Sequence, residues 1–330
     1  VKQPNDPGEI TNEVTPIKVG DTLYLCTAHQ RLFALDAASG KEKWHYDPEL
    51  KTNESFQHVT CRGVSYHEAK AETASPEVMA DCPRRIILPV NDGRLIAINA
   101  ENGKLCETFA NKGVLNLQSN MPDTKPGLYE PTSPPIITDK TIVMAGSVTD
   151  NFSTRETSGV IRGFDVNTGE LLWAFDPGAK DPNAIPSDEH TFTFNSPNSW
   201  APAAYDAKLD LVYLPMGVTT PDIWGGNRTP EVAIANPMAL PFVSKLIPRG
   251  PGNPMEQPKD AKGTGTESGI QPQYGVPYGV TLNPFLSPFG LPCKQPAWGY
   301  ISALDLKTNE VVWKKRIGTP QDSMPFPMPV

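Results

Sequence analysis

One segment recurs four times along the chain and constrains the architecture before any single residue is interpreted. It runs from Leu32 through Asp36 and Gly40 to Trp44, from Leu95 through Asn99 and Gly103 to Cys106, from Ile161 through Asp165 and Gly169 to Trp173, and from Ile301 through Asp305 and Asn309 to Trp313. In each copy alternating apolar residues lead to an Asp or Asn that opens a turn. Four residues later comes Gly or Asn, the residue types that accept a left-handed backbone. The pattern predicts a β-hairpin. The tryptophans, large enough to dock between neighbouring sheets, are expected to be structural glue.

A further strand pair is predicted ahead of each hairpin, at 18–26, 85–89 and 135–146. Four antiparallel strands per repeat make a β-propeller blade, so the expected fold is all-β. The turn acids lie 63 residues apart (Asp36 to Asn99), then 66 (to Asp165), then 140 (to Asp305). The last interval is about two periods, so one hairpin is missing or replaced there. From Asn236 to Pro296 the chain is crowded with Pro and Gly and reads as an irregular excursion, either a functional loop or a linker. The chain has 36 Pro and 26 Gly among its 330 residues, which is hostile to long helices and consistent with many turns.

A net charge of -8 without a Lys/Arg-rich run argues against nucleic-acid binding, because neutralising phosphates needs a basic face. No apolar run approaches the ~18 residues needed to cross a bilayer. The five cysteines, Cys26, Cys61, Cys82, Cys106 and Cys293, lack the spacing of a zinc site, and their odd number leaves at least one unpaired within the chain.

The hairpins with their tryptophans, together with Cys61-Arg62-Gly63-Val64-Ser65-Tyr66, Glu130-Pro131-Thr132-Ser133-Pro134-Pro135 and Ser199-Trp200-Ala201-Pro202, resemble the pyrroloquinoline quinone (PQQ) dependent dehydrogenases, in detail their membrane-bound glucose dehydrogenase branch. The resemblance implies an eight-bladed propeller carrying PQQ near its axis. It also implies oxidation of an aldose such as glucose to its lactone, with electrons passed to membrane ubiquinone at the periplasmic face, and a membrane anchor outside this chain. Arg62 matches the family arginine that pairs with a PQQ carboxylate, a task suited to a planar guanidinium. Thr132 matches the threonine contacting the quinone, Ser147 the segment beside it, and Trp200 the stacking floor under the ring. His58 fits the histidine that contacts substrate. A hard cation, Mg²⁺ or Ca²⁺, is expected. Asp150 aligns with its acidic ligand, and Thr220 stands near the second ligand, where alcohol-oxidising relatives carry an amide. For an isolated hydroxyl side chain turn capping is the ordinary role, so Thr132 and Ser147 rest on the order of the motifs.

Two departures matter. The adjacent Cys-Cys pair of the alcohol dehydrogenase branch is absent, which favours the glucose branch. The segment bearing the family's catalytic Asp and its quinone-contacting Lys is not found. At ~65 residues per blade the chain supplies about five blades. The expected organisation is therefore N-terminal blades over 1–231, joined across a missing block to an excursion and a later blade over 232–330, with final blades also missing after Val330. Alternative readings are a PQQ alcohol dehydrogenase and a non-catalytic propeller scaffold.

Overall fold

The computed structural model describes residues 10–53, 55–187, 191–224, 242–259, 269–287, 299–305 and 310–317. The first blade is β1 (Ile17–Val19), β2 (Thr22–Cys26), β3 (Leu32–Asp36) and β4 (Glu42–Tyr46), antiparallel in chain order. The second is β5 (Ser65–Glu68), β6 (Arg84–Val90), β7 (Arg94–Asn99) and β8 (Val114–Asn116), with a short helix α1 (Pro76–Asp81) between its first two strands. Next come β9 (Tyr129–Glu130), β10 (Ile136–Ile137), β11 (Thr141–Met144), β12 (Ser147–Val148), β13 (Ile161–Asp165) and β14 (Leu171–Phe175). Of these, β10, β11, β13 and β14 form the third blade, while β9 and β12 pair separately. The two-stranded β15 (Ala204–Asp206) and β16 (Leu211–Tyr213) follow.

The repeat explains this geometry. The turn opens alike in all three blades: the N–H groups of Gly40, Gly103 and Gly169 donate to the carbonyls of Asp36, Asn99 and Asp165, and all three glycines have φ between 70° and 76°. Aromatic rings then fasten blade one to blade two and blade two to blade three. Trp44 Nε1 donates to the Ala100 carbonyl at 3.1 Å, and its ring lies where a Cβ on Gly103 would meet it at 2.8 Å. The second copy lacks the tryptophan, and Phe109 takes the part, its ring 3.2 Å from the Cβ position of Gly169. Gly103 thus meets two demands at once. Replacing it by Ala is expected to cost about 2 kcal/mol. Gly40→Ala, with nothing within 4 Å of its Cβ position, is expected to cost clearly less. Urea denaturation of the two variants checks the difference.

Because blade two is packed on both sides, its strands read as continuous apolar runs rather than alternating ones. Ile86, Leu88, Ile96 and Ile98 join the core shared with blade one, while Ile87, Leu95 and Ala97 join the core shared with blade three. Arg85, also wholly buried, donates to the carbonyls of Cys82, Val166 and Asn167 and so ties blade two to the turn of blade three. Disulfides join Cys26 to Cys61 and Cys82 to Cys106.

Three details differ from the sequence pattern. In the second copy the stretch after Gly103 makes one bridge, Ile98 to Leu105, and the fourth strand comes later at Val114, because Cys106 is held to Cys82 and Phe109 fills the docking position. Trp173 packs over Gly163 of its own blade and remains 37% exposed, unlike Trp44 with its partner turn. The Pro- and Gly-rich stretch between Asn236 and Pro296, expected to be irregular, contains an antiparallel three-stranded sheet, β17 (Phe242–Pro248), β18 (Gly269–Gln271) and β19 (Tyr278–Pro284), with β19 central. The hairpin β20 (Gly299–Asp305) and β21 (Glu310–Ile317) has the same one-residue register shift as blades one and three. The proposed junction at Glu231 and Val232, and Cys293, lie outside the described residues.

Candidate cofactor site

The site is assembled by the segment that crosses from blade one to blade two. After Phe56 the chain is buried and held at several points: Gln30 Nε2 donates to the Thr60 carbonyl at 2.8 Å, Asn91 Nδ2 donates to that of His58, and Cys61 is bonded to Cys26 of β2. Arg62 emerges from this rigid run. Its backbone N–H donates to the Thr132 carbonyl at 2.9 Å, its Nη1 reaches Thr132 Oγ1 at 2.5 Å, and its Nε pairs with Glu13 at 2.7 Å. The guanidinium carbon stands 5.1 Å from the ring centroid of Trp200, within cation–π range. Trp200 is 47% exposed, but its carbonyl accepts from Ser133 Oγ at 2.6 Å, which fixes it beside Thr132.

Strand β9 carries the next part. Glu130, two residues before Thr132, is buried, and it lies opposite Ser147 in the β9–β12 pair. Its carboxylate accepts from the His58 backbone N–H at 3.2 Å, and His58 Nδ1 lies 3.7 Å from Glu130 Oε2. Burial pushes the Glu130 carboxyl up, and His58 opposes this. His58, Arg62, Thr132, Ser147 and Trp200 are therefore gathered around one short stretch of chain.

Asp150 and Thr220 belong to an adjoining loop cluster. The Asp150 carbonyl accepts from Asp222 N at 3.0 Å, and its carboxylate accepts from Asn151 Nδ2 at 3.2 Å. Asn151 Oδ1 accepts from Ile223 N at 3.1 Å, and Thr220 Oγ1 lies 3.5 Å from Asn195 Oδ1. Among the described residues no three His, Cys, Asp or Glu side chains are grouped to hold a metal. The oxygen-rich mixture of Asp150, Asn151 and Thr220 is of the kind a hard cation takes. The supposed irregular stretch packs here too, since Gln273 N donates to the Asn151 carbonyl and Tyr274 N to that of Phe152.

A cavity of about 1050 Å³ opens beside this cluster, with Asn53, Lys125, Phe152, Glu156 and Tyr274 in its lining, but Arg62, Thr132 and Trp200 are not part of it. Burial raises the Glu156 carboxyl to about 8, with the charge of Asp150 adding to the rise and the N–H groups of Ser153 and Phe152 opposing it. A raised folded pKa favours the neutral acid, so this group's contribution to stability is full below its unfolded value of 4.5 and is lost as pH rises through about 8. Glu156→Gln is expected to gain stability relative to the unsubstituted chain across that interval. Urea midpoints at pH 4.5 and 8.5 check this.

Neither Glu13 nor Glu130 is among the site residues the sequence predicts. Glu130 stood in the quoted motif two residues before Thr132; Glu13 carries no local signal.

The model of the family described as "PQQ: Glucose/ethanol/alcohol dehydrogenase, beta-propeller domain" matches residues 1–233 and again 229–330. The chain belongs to this PQQ dehydrogenase propeller family. Among members, quinoprotein glucose dehydrogenase of Escherichia coli (strain K12) is 66% identical over 494 aligned positions, covering 99% of this chain and 62% of that protein. Quinoprotein glucose dehydrogenase A of Acinetobacter calcoaceticus is 40% identical, with 98% and 62% covered, and the Gluconobacter oxydans (strain 621H) enzyme 37%, with 98% and 63% covered. The chain thus spans less than two thirds of these PQQ dehydrogenases. Since 494 aligned positions meet a chain of 330 residues, at least 164 of them face no residue of it.

Proposed function

We propose that this chain is the cofactor-holding part of a PQQ-dependent glucose dehydrogenase that oxidises an aldose to its lactone and passes electrons to membrane ubiquinone at the periplasmic face. The observation that carries the reading is the Arg62 cluster: a guanidinium fixed by Glu13 and Thr132 and stacked on a half-exposed tryptophan. A planar tricarboxylate fits that donor set, with Arg62 for a carboxylate, the Thr132 hydroxyl for the quinone edge and Trp200 for the ring face. Thr60 Oγ1, buried two residues before Arg62 and without a hydrogen-bond partner among the described residues, is a further polar group in the same segment. Ser147 lies beside this group, Asp150 and Thr220 offer oxygens to Mg²⁺ or Ca²⁺, and His58 serves the sugar. Bound PQQ supplies the electrophilic quinone that receives the two electrons of the carbinol. Two disulfides favour an oxidising compartment, consistent with the periplasm.

The family's catalytic Asp has no counterpart we can assign, and the doubled family match together with the excess of aligned positions supports a junction near 231–232 that omits the block carrying it. The chain should accordingly bind PQQ without turning over glucose. Titrating PQQ with Mg²⁺ or Ca²⁺ while following tryptophan fluorescence, then adding glucose and a redox dye, tests both parts. Saturable quenching without dye reduction is expected; absence of PQQ binding removes the reading.

A further inference from the structure

Arg85 and Arg162 are the bulkiest wholly buried side chains described, and they differ in one respect. Every nitrogen of Arg85 has a carbonyl to donate to, as expected of a structural arginine. Among the described residues Arg162 Nε and Nη2 complete no hydrogen bond and no carboxylate lies within ion-pair distance of the guanidinium, although it does act on the Tyr129 hydroxyl, favouring the ionised form against the burial that pushes this group up. Instead its guanidinium carbon stands 5.7 Å from the Tyr129 ring centroid, 5.6 Å from that of Phe164 and 5.7 Å from that of Phe192. A buried charge with unused donors is costly, and aromatic faces offset only part of that cost. Such a group calls for an explanation beyond packing.

Its location supplies one. Tyr129 neighbours Glu130 on β9 and pairs with Val148 while Glu130 pairs with Ser147, so the ring that Arg162 approaches belongs to the strand pair placed at the cofactor. A Cβ on Gly146 would lie 2.6 Å from that ring, so Tyr129 packs directly against the backbone leading into Ser147. The positive charge therefore sits one layer behind the proposed cofactor wall. In a low-dielectric interior, a charge without a counter-ion acts over distances at which a surface charge would be screened.

We propose that Arg162 is an electrostatic positioning residue of the cofactor site, a buried cation without a carboxylate partner among the described residues, lying behind the Tyr129 strand and favouring a polycarboxylated quinone over an uncharged one. The inference rests on the cofactor reading above. It does not require Arg162 to touch the ligand.

The test is equilibrium binding of PQQ and of its uncharged trimethyl ester to the full chain and to R162M and R162K, with circular dichroism confirming the fold. R162M is expected to weaken PQQ roughly tenfold while leaving the ester nearly unchanged, and R162K to stay within about threefold of the unsubstituted chain for PQQ. Should R162M fail to fold, R162Q, which keeps donors without charge, carries the same comparison. A folded Met or Gln variant that binds PQQ as the unsubstituted chain does, or loses PQQ and ester equally, overturns the proposal while leaving the cofactor reading intact. Failure of the unsubstituted chain to bind PQQ overturns both.

Discussion

Replacing Arg62 by Ala should weaken PQQ binding by about 10²- to 10³-fold, the loss expected when one partner of a partly buried charged group is removed. Arg62 is the point where three segments meet: the N-terminal segment through Glu13, the loop after β9 through Thr132, and the segment before β15 through Trp200. Ala removes the carboxylate partner, frees the Trp200 ring and leaves Glu13 facing Thr132 without a cation between them. Arg62→Lys should recover only part of the loss. A single ammonium cannot keep Nε on Glu13 and Nη1 on Thr132 while offering a planar face to Trp200. Titrations followed by tryptophan quenching give the three affinities. Equal affinities for the Arg, Lys and Ala forms would remove Arg62 from the site.

The second large effect concerns the bond that holds this arginine in place. Cys26 and Cys61 are 35 residues apart in sequence, and opening a loop of that length is expected to cost about 3–4 kcal/mol through the freedom returned to the unfolded chain. The consequence reaches function because Cys61 precedes Arg62 directly. The Cys26→Ser, Cys61→Ser double variant should therefore lower the urea midpoint and loosen PQQ binding together. The corresponding change at Cys82 and Cys106 should lower stability without a comparable effect on PQQ, since that bond lies at α1 and the blade-two turn, away from Arg62.

These expectations show what the sequence made legible. The blades could be read because the turn acid, the left-handed glycine and the apolar alternation recur at near-constant spacing, each a local requirement of the hairpin. Phe109 escaped notice because it does the work of Trp44 from a different register, ten residues after the turn acid instead of eight. The sheet β17–β19 was hidden because Pro and Gly surround it and its first strand, Phe242–Pro248, carries no two-residue alternation of apolar residues. At the site, Arg62, Thr132 and Trp200 were legible as motif residues, and the fold brings them together from distant positions. Glu13, Glu130 and Arg162 were not, because the importance of a carboxylate or guanidinium lies in its burial and partners. Those exist only once β9 has paired with β12 and blade three has closed over Tyr129.

The central claim is that Arg62, Thr132 and Trp200 form one face of a PQQ site. The most direct measurement is a crystal structure of the chain grown with PQQ and Mg²⁺ or Ca²⁺. The tricyclic ring is expected over Trp200, with a carboxylate on the Arg62 guanidinium and the cation against Asp150. PQQ bound elsewhere, or a site that stays empty at saturating PQQ, would contradict it.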